Sequence, residues 1–287
     1  MGVTGEKYAM DDASLDKVGR WTEIKLHILR KYAKAYTDIL KKQTSIRHYA
    51  YIDGFAGAGT HISKTTGEEI EGSPAIALQL QFSHYHFVDL DGKRTARLQK
   101  LTAGKTNVSV YHGDCNDILC TKVFPTCRFE DYRRALCVLD PYRLNPNWEV
   151  VQQAGRMKSI EIFLNFMIMD ANMNMLWEYP EGVPDSQIAR MNTFWGDESW
   201  RDAAYQTSEG LFGAIQQKRT NIDVIKAYQK RLKDIAGFKY VPDPIPMRNT
   251  QGAVVYYLFF ASHNKTGDKI ARDVFNKYRD GGSQNGH

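Results

Sequence analysis

The sequence predicts an α/β fold: a doubly wound, mostly parallel sheet with an inserted helical cap. Three observations predict it. Strand-like and helix-like segments alternate five times between Tyr49 and Asn165. The strand-like segments are apolar, as strands covered on both faces are. The first of them, YAYIDGFAGAG over 49–59, runs into a loop holding Gly54, Gly57 and Gly59, and Asp53, Asp89, Asp114 and Asp140 stand at the ends of the first four strands.

Taken in order, residues 1–20 are polar and expected to be loosely ordered. Trp21 to Gln43 has helical apolar spacing through Ile24, Ile28, Tyr32, Ala35 and Ile39, broadened by Leu26, Leu29 and Tyr36, with Thr22 as the expected N-cap. Lys25, Arg30, Lys31, Lys34, Lys41 and Lys42 read as the solvated face of that helix. Tyr49 to Ile52 is the first core strand. The stretch after Gly59 reads as a hairpin turning near Thr66-Gly67, and a helix then starts with Ser73 as N-cap and Pro74 at its first position.

The second strand, Tyr85 to Val88, ends at Asp89, and a helix follows over 93–101. The third, Asn107 to Tyr111, leads to Asp114 and a helical piece over 116–123. The fourth, Ala135 to Leu139, ends at Asp140 and runs into Pro141-Tyr142. A helix over 148–157 leads to the fifth, which ends near Asn165. Right-handed crossovers place all these strand ends on one edge of the sheet.

Residues 166–220 break the alternation and read as the helical cap. A helix over 222–235, a proline-rich extended stretch over 238–249, a strong strand over 254–261 and a terminal helix over 269–278 complete the chain, with a tail expected to be disordered. The expected divisions are 1–47 (tail and basic helix), 48–165 (cofactor-binding core), 166–237 (cap) and 238–287 (last strands, helix and tail).

Composition excludes some classes. At 287 residues, 43% hydrophobic and 25% charged, the chain is long enough for one large soluble domain or a domain with an insertion. The most apolar run, Val254 to Ala261, is too short to cross a bilayer. The first residues lack an apolar signal core, so a cytosolic protein with no membrane partner is expected. Net charge is +5, from 38 basic and 33 acidic residues, a mild bias that permits a nucleic-acid partner without demanding one. The spacings of Cys115, Cys120, Cys127 and Cys137 match neither a zinc ribbon nor a C-x-x-C pair, and no metal is expected.

The strand-end carboxylates carry the chemistry. An acidic residue ending the second strand of such a sheet can accept hydrogen bonds from both ribose hydroxyls of a nucleoside. One ending the third can hold an adenine amino group, and one by the glycine loop can meet an ammonium group. Ribose, adenine and an amino-acid head together describe S-adenosylmethionine. NAD fits less well, because its pyrophosphate calls for a glycine loop opening straight into a helix, and here about a dozen residues intervene. A magnesium-dependent nuclease built on the same aspartates would leave the glycine loop without a role.

DGFAGAG over 53–59 resembles the cofactor loop of class I S-adenosylmethionine-dependent methyltransferases, whose fold is Rossmann-like. LDPYRLNPNW over 139–148 resembles the fourth motif of amino-methyltransferases acting on nucleic acids. Together with WTEIKLHILRKYAKAY, GSPAIAL, FVDLD, FLNFMIMDANMN and YYLFFASHNKTGDKI, these blocks make the chain similar, over about residues 21–279, to the three-Cys-motif partner protein family. The resemblance implies a methyltransferase fold and cofactor. It also implies a genomic neighbour, similar to radical S-adenosylmethionine proteins, that carries the three-cysteine motif.

By that resemblance Asp53, Gly54, Phe55, Gly57, Gly59, Asp89, Leu90, Asp114 and Asp140 hold the cofactor. Asp140, Pro141 and Tyr142 carry transfer to a nucleobase amine, with Arg143 beside them; Asn165 and Trp195, read with the cap that closes over the site, are expected to touch the substrate. The motif departs from Asp/Asn-Pro-Pro-aromatic: the second proline is missing and Arg143 adds a charge suited to a phosphate. That departure leaves open a second reading, a subunit that keeps the fold, lacks transfer activity and serves the three-Cys-motif partner.

Overall fold

The alternation resolves into a seven-stranded sheet. The computed structural model describes residues 16–210 and 213–279. The segments expected to be loosely ordered at the two ends lie largely outside them. A two-residue strand, β1 (Lys17–Val18), precedes helix α1 (Arg20–Leu40) and strand β2 (His48–Asp53). The expected hairpin follows as β3 (Thr60–Ser63) and β4 (Glu69–Glu71), with Gly67 taking φ +74° in its turn, and β1 pairs parallel with β3.

Next come α2 (Ser73–Leu78), β5 (His84–Asp89), α3 (Gly92–Leu101), β6 (Val108–His112) and α4 (Cys115–Ile118). A π-helical turn (Leu119–Val123) and a 3₁₀ turn (Phe124–Thr126) extend α4 towards β7 (Arg133–Leu139), α5 (Trp148–Met157) and β8 (Ile160–Phe166). Beyond β8 lie α6 (Ile168–Asn174), α7 (Asp185–Trp195), α8 (Trp200–Ala204), the hairpin β9 (Tyr205–Gly210) and β10 (Gly213–Lys218), and α9 (Asn221–Asp234). The chain ends with β11 (Ile245–Arg248), β12 (Val254–Ala261) and α10 (Lys265–Arg279).

The sheet order is β11-β12-β8-β7-β2-β5-β6. Every pairing in it is parallel except those of β12, which runs against β8 and β11. The chain winds outwards from β2 through β5 to β6, then returns to the other side of β2 with β7 and β8. The direction of winding therefore switches between β2 and β7, where doubly wound sheets bind ligands. Helices cover both faces. Trp148 of α5 and Tyr228 and Leu232 of α9 pack on one; Tyr32 of α1, Leu98 of α3 and Phe275 of α10 pack on the other.

Several local expectations are corrected. Gly19, not Thr22, is the N-cap of α1, and Gly72, not Ser73, precedes α2. The buried face of α1 runs through Lys25, Leu29, Tyr32 and Tyr36, so Lys25 is buried rather than solvated, while Ile24, Ala35 and Ile39 are only half-buried. The cap is not all helical. It contains the β9–β10 ribbon, whose sequence is too rich in Gln, Ser, Thr, Glu and Lys to show an apolar alternation. Among the described residues no helix is long and apolar enough to cross a membrane.

One close approach locks α5 to the chain after α9. A Cβ placed on Gly155 would collide with the carbonyl oxygen of Ala236 and lie 3.2 Å from the Phe238 ring. Backbone cannot yield as a side chain can, so Gly155→Ala is expected to cost about 2 kcal/mol of stability, checked by urea unfolding; an unchanged midpoint would show the two segments free to separate.

Candidate active site

Parallel pairing brings the strand ends together on one edge. Asp53 is in register with Phe87 and Val138, and Asp89 with His112. The loop after β2 is stitched to both neighbours: Gly54 N–H donates to Val138 O (2.9 Å) and Ala56 N–H to Val88 O (2.9 Å). Gly57 and Gly59 take φ of +63° and +87°, a region that L side chains rarely adopt. Asp89 braces this turn. Its Oδ2 accepts from Gly57 N–H and its Oδ1 from Asp91 N–H, both at 2.8 Å.

A cleft of about 330 Å³ opens beside this loop. Its walls come from the ends of consecutive strands: Gly54 and Phe55 after β2, Leu90 after β5, and Gly113 and Asp114 after β6. Leu144, Asn145 and Asn147 from the segment after β7, and Arg190 and Thr193 from α7, close the other side. Asp114 caps α4, accepting from Asn116 N–H at 2.7 Å through one oxygen. Leu90 is 73% exposed, an apolar side chain standing over the cleft. Asn116 ties the walls together, its Oδ1 accepting from Asn147 N–H (2.7 Å) and its Nδ2 donating to Asn145 O (3.2 Å).

Asp53 and Asp140 form a second group, behind the loop. Asp53 is fully buried; it accepts from Phe55 N–H (3.2 Å) and the Tyr51 hydroxyl (3.4 Å). Burial pushes its carboxyl up to about 7, against the opposing effect of a hydrogen bond from Ser73. Asp140 pairs with Lys25 Nζ of α1 and accepts from the Asn165 side chain of β8. The Asp140 side chain keeps 28% exposure, so it remains open to a further partner.

Tyr142 stands 62% exposed beyond Pro141. Its hydroxyl donates to Asp16 (2.6 Å), which also takes Arg94 (2.9 Å), and the Arg94 guanidinium lies 5.5 Å from the centre of the Tyr142 ring. The segment before α1 thus reaches across to the stretch that follows β7. Asp170 of α6 fixes the next stretch, accepting from Leu144 N–H (3.0 Å) and pairing with Arg190 (3.2 Å).

Of the residues expected to bind cofactor, Gly54, Phe55, Leu90 and Asp114 meet in the cleft wall. Asp89, Gly57 and Gly59 shape the turn beside it, and Asp53, buried, and Asp140, half-buried, lie behind the loop. Asn165 reaches Asp140, and Arg143 is exposed. Trp195, expected at the substrate, is instead a core residue. It is 2% exposed and packs against Tyr228, with its indole N–H on Ser199, because the cap's aromatic residues fill the space over β8.

Sequence reasoning missed Lys25, Arg190 and Asn116. Lys25 had a signal, since its position shares a helical face with Leu29, Tyr32 and Tyr36. Arg190 and Asn116 carried none that local pattern reveals. Among the described residues no group of three or more His, Cys, Asp or Glu is arranged to hold a metal ion. All four cysteines are free.

No family model and no curated protein matches the chain. Solved structures do. Protein LPL1258 from Legionella pneumophila strain Philadelphia 1 shares 12% identity over 90% of this chain and 94% of its own, with a TM-score of 0.52. The N-terminal domain of EvdMO1 with SAH bound shares 13% over 82% and 81%, TM-score 0.39. The CurJ carbon methyltransferase shares 11% over 77% and 50%, TM-score 0.40. The first likeness is one of fold alone, and the other two score too low to carry an argument. The fold itself, a seven-stranded sheet parallel but for β12 with helices on both faces, is the class I methyltransferase type expected from the sequence.

Proposed function

We propose that this protein is an S-adenosylmethionine-dependent methyltransferase that modifies an amino group of a nucleobase in DNA or RNA. One observation carries the reading: the cleft opens at the winding switch between β2 and β7, walled by the segments that follow these two strands and by the ends of β5 and β6. Its volume lies in the range of small-ligand sites, about 300–1,000 Å³. Leu90 offers the apolar face that a purine ring would cover, and Asp114 beside it has a carboxylate oxygen left for an exocyclic amine. Asp89, which ends β5 and braces the glycine turn, would take the ribose hydroxyls.

S-adenosylmethionine supplies a sulfonium methyl group, which needs no further activation. What remains for the chain is alignment and charge. Asp140 would accept from the target amine and stabilise the positive charge that develops on it. Lys25 and Asn165 hold that carboxylate in place. Tyr142 would stack on the acceptor base, and Arg143 would meet a backbone phosphate. Titration calorimetry with S-adenosylmethionine tests the cofactor half: saturable heat is expected, weakened about tenfold or more in Asp89→Ala. Absence of heat from the wild-type chain would end the reading.

A second reading draws on a specific observation. Asp140 is paired with Lys25, and Tyr142 is latched to Asp16, so both motif residues are engaged within the chain. This favours a methyltransferase-fold subunit without transfer activity that serves a three-Cys-motif, radical S-adenosylmethionine-like partner protein. Labelled methyl groups appearing in nucleic acid treated with the isolated chain would exclude it. Transfer only when the partner is added would favour it.

A further inference from the structure

A second cavity, of about 420 Å³, lies at the opposite end of the sheet from the cleft. Tyr36 of α1, Arg134 at the start of β7, Lys158 after α5, Lys239, and Ser262 and Lys265 around the β12–α10 junction contribute to its walls. The seven residues of β7 separate it from the cleft by roughly 20 Å, at ~3.3 Å per residue. Nothing in the proposed methyl transfer uses it.

Four cations in its wall stand against one carboxyl, Glu161, whose charge acts on Arg134. Arg134, Lys158, Lys239 and Lys265 all line the cavity, and among the described residues none of them forms an ion pair with a carboxylate. The one carboxyl in its wall, Glu161, is buried and takes the hydroxyls of Tyr32 and Ser262. Lys158 takes φ +59° as the left-handed C-cap that ends α5, and its exposed side chain lines the cavity.

Two further features point to what would fill the space. The Tyr36 hydroxyl, on a side chain only 7% exposed, is buried at this cavity without a hydrogen-bond partner. Aromatic faces flank the cations: Phe129 is 43% exposed with the Arg134 guanidinium 3.9 Å from its ring centre, and Lys239 lies 5.5 Å from that of Tyr240.

We infer that this cavity binds a nucleoside 5′-phosphate, as a free nucleotide or as the phosphorylated end of a nucleic-acid strand. The phosphate meets Lys158, Lys239 and Lys265, and the base lies against Phe129 and Tyr240. Cations supply the affinity and the rings the preference for a nucleotide over a bare anion.

The test uses the full chain and calorimetry. Adenosine 5′-monophosphate should bind saturably, and adenosine and inorganic phosphate each at least about tenfold more weakly. Lys158→Glu and Lys239→Glu, both at exposed side chains, should each weaken the nucleotide about tenfold while leaving S-adenosylhomocysteine binding at the cleft unchanged. A 5′-phosphorylated oligonucleotide that binds more tightly than both the mononucleotide and its 5′-hydroxyl counterpart identifies a strand end as the source; otherwise the source is a free nucleotide. The inference is overturned by no saturable nucleotide binding, by binding indifferent to the two charge reversals, by adenosine or phosphate binding as tightly as the nucleotide, or by displacement of the nucleotide with S-adenosylhomocysteine, which would put it in the cleft. Failure of S-adenosylmethionine to bind leaves it standing, since the two sites share no residue.

Discussion

Replacing Lys25 by alanine is expected to lower the unfolding free energy by about 3 kcal/mol. Lys25 crosses from α1 to Asp140 at the end of β7, and its side chain keeps only 11% exposure. Removing one partner of a buried pair leaves the other charged and poorly solvated, which costs ~3–5 kcal/mol. The remaining exposure of Asp140 argues for the lower end. For a chain of this size that is a fall in melting temperature of roughly 6–10 °C. The double variant Lys25→Met, Asp140→Asn removes both charges while keeping shape, and Asn165 can still bond to the new amide. It should recover most of the loss. A double variant no more stable than Lys25→Ala would show that a stranded Asp140 charge is not the source of the loss. Under the proposed function, Lys25→Met should also lower kcat for methyl transfer more than it raises KM, because it frees the carboxylate that aligns the amine without touching the cleft.

Glu161→Gln should flatten the pH dependence of stability. Glu161 is fully buried on β8. Tyr32 of α1 and the Ser262 hydroxyl bond to it, Arg134 of β7 acts on it as a nearby charge, and Tyr36 lies close. Burial pushes its carboxyl from 4.5 up to about 7, outweighing those three favourable partners. In the unfolded chain it loses its proton near the ordinary value. Between there and about 7 the folded state therefore holds the proton that the unfolded state has released. Stability then falls as pH rises, by up to about 1.4 kcal/mol per unit, and levels off above the folded value. Asp53, also pushed up to about 7, acts in the same direction. Urea midpoints from pH 5 to pH 8 should decline in the wild type and decline about half as steeply in Glu161→Gln. The variant should be the more stable by about 2 kcal/mol at pH 8. Parallel curves for the two proteins would mean that Glu161 ionises without cost, and the buried-carboxyl account would fail.

The fold was legible because its signals are local and repeated. Apolar runs ending in Asp53, Asp89 and Asp140 became β2, β5 and β7 with boundaries shifted by a residue or two, and the helix over 148–157 and the strand over 254–261 were read to the residue. The β9–β10 ribbon escaped because polar strands paired only with each other show no apolar period. The candidate site was half legible. Asp89, Asp114 and the positive-φ glycines lie where the chain turns, and turn chemistry shows in sequence. Lys25 and Trp195 were misread for one reason: a long cation or a large ring near a loop is ambiguous until its neighbours are known.

The sequence by itself determined the α/β winding, the edge on which the aspartates gather and the glycine turn beside the first strand, because each depends on residues a few positions apart. Only the tertiary structure decided which aspartates face the cleft and which are buried, that Lys25 neutralises Asp140 from a helix 115 positions away, and that Asp16 holds Tyr142. Burial and charge pairing belong to neighbours in space, and a chain brings those together only when it folds.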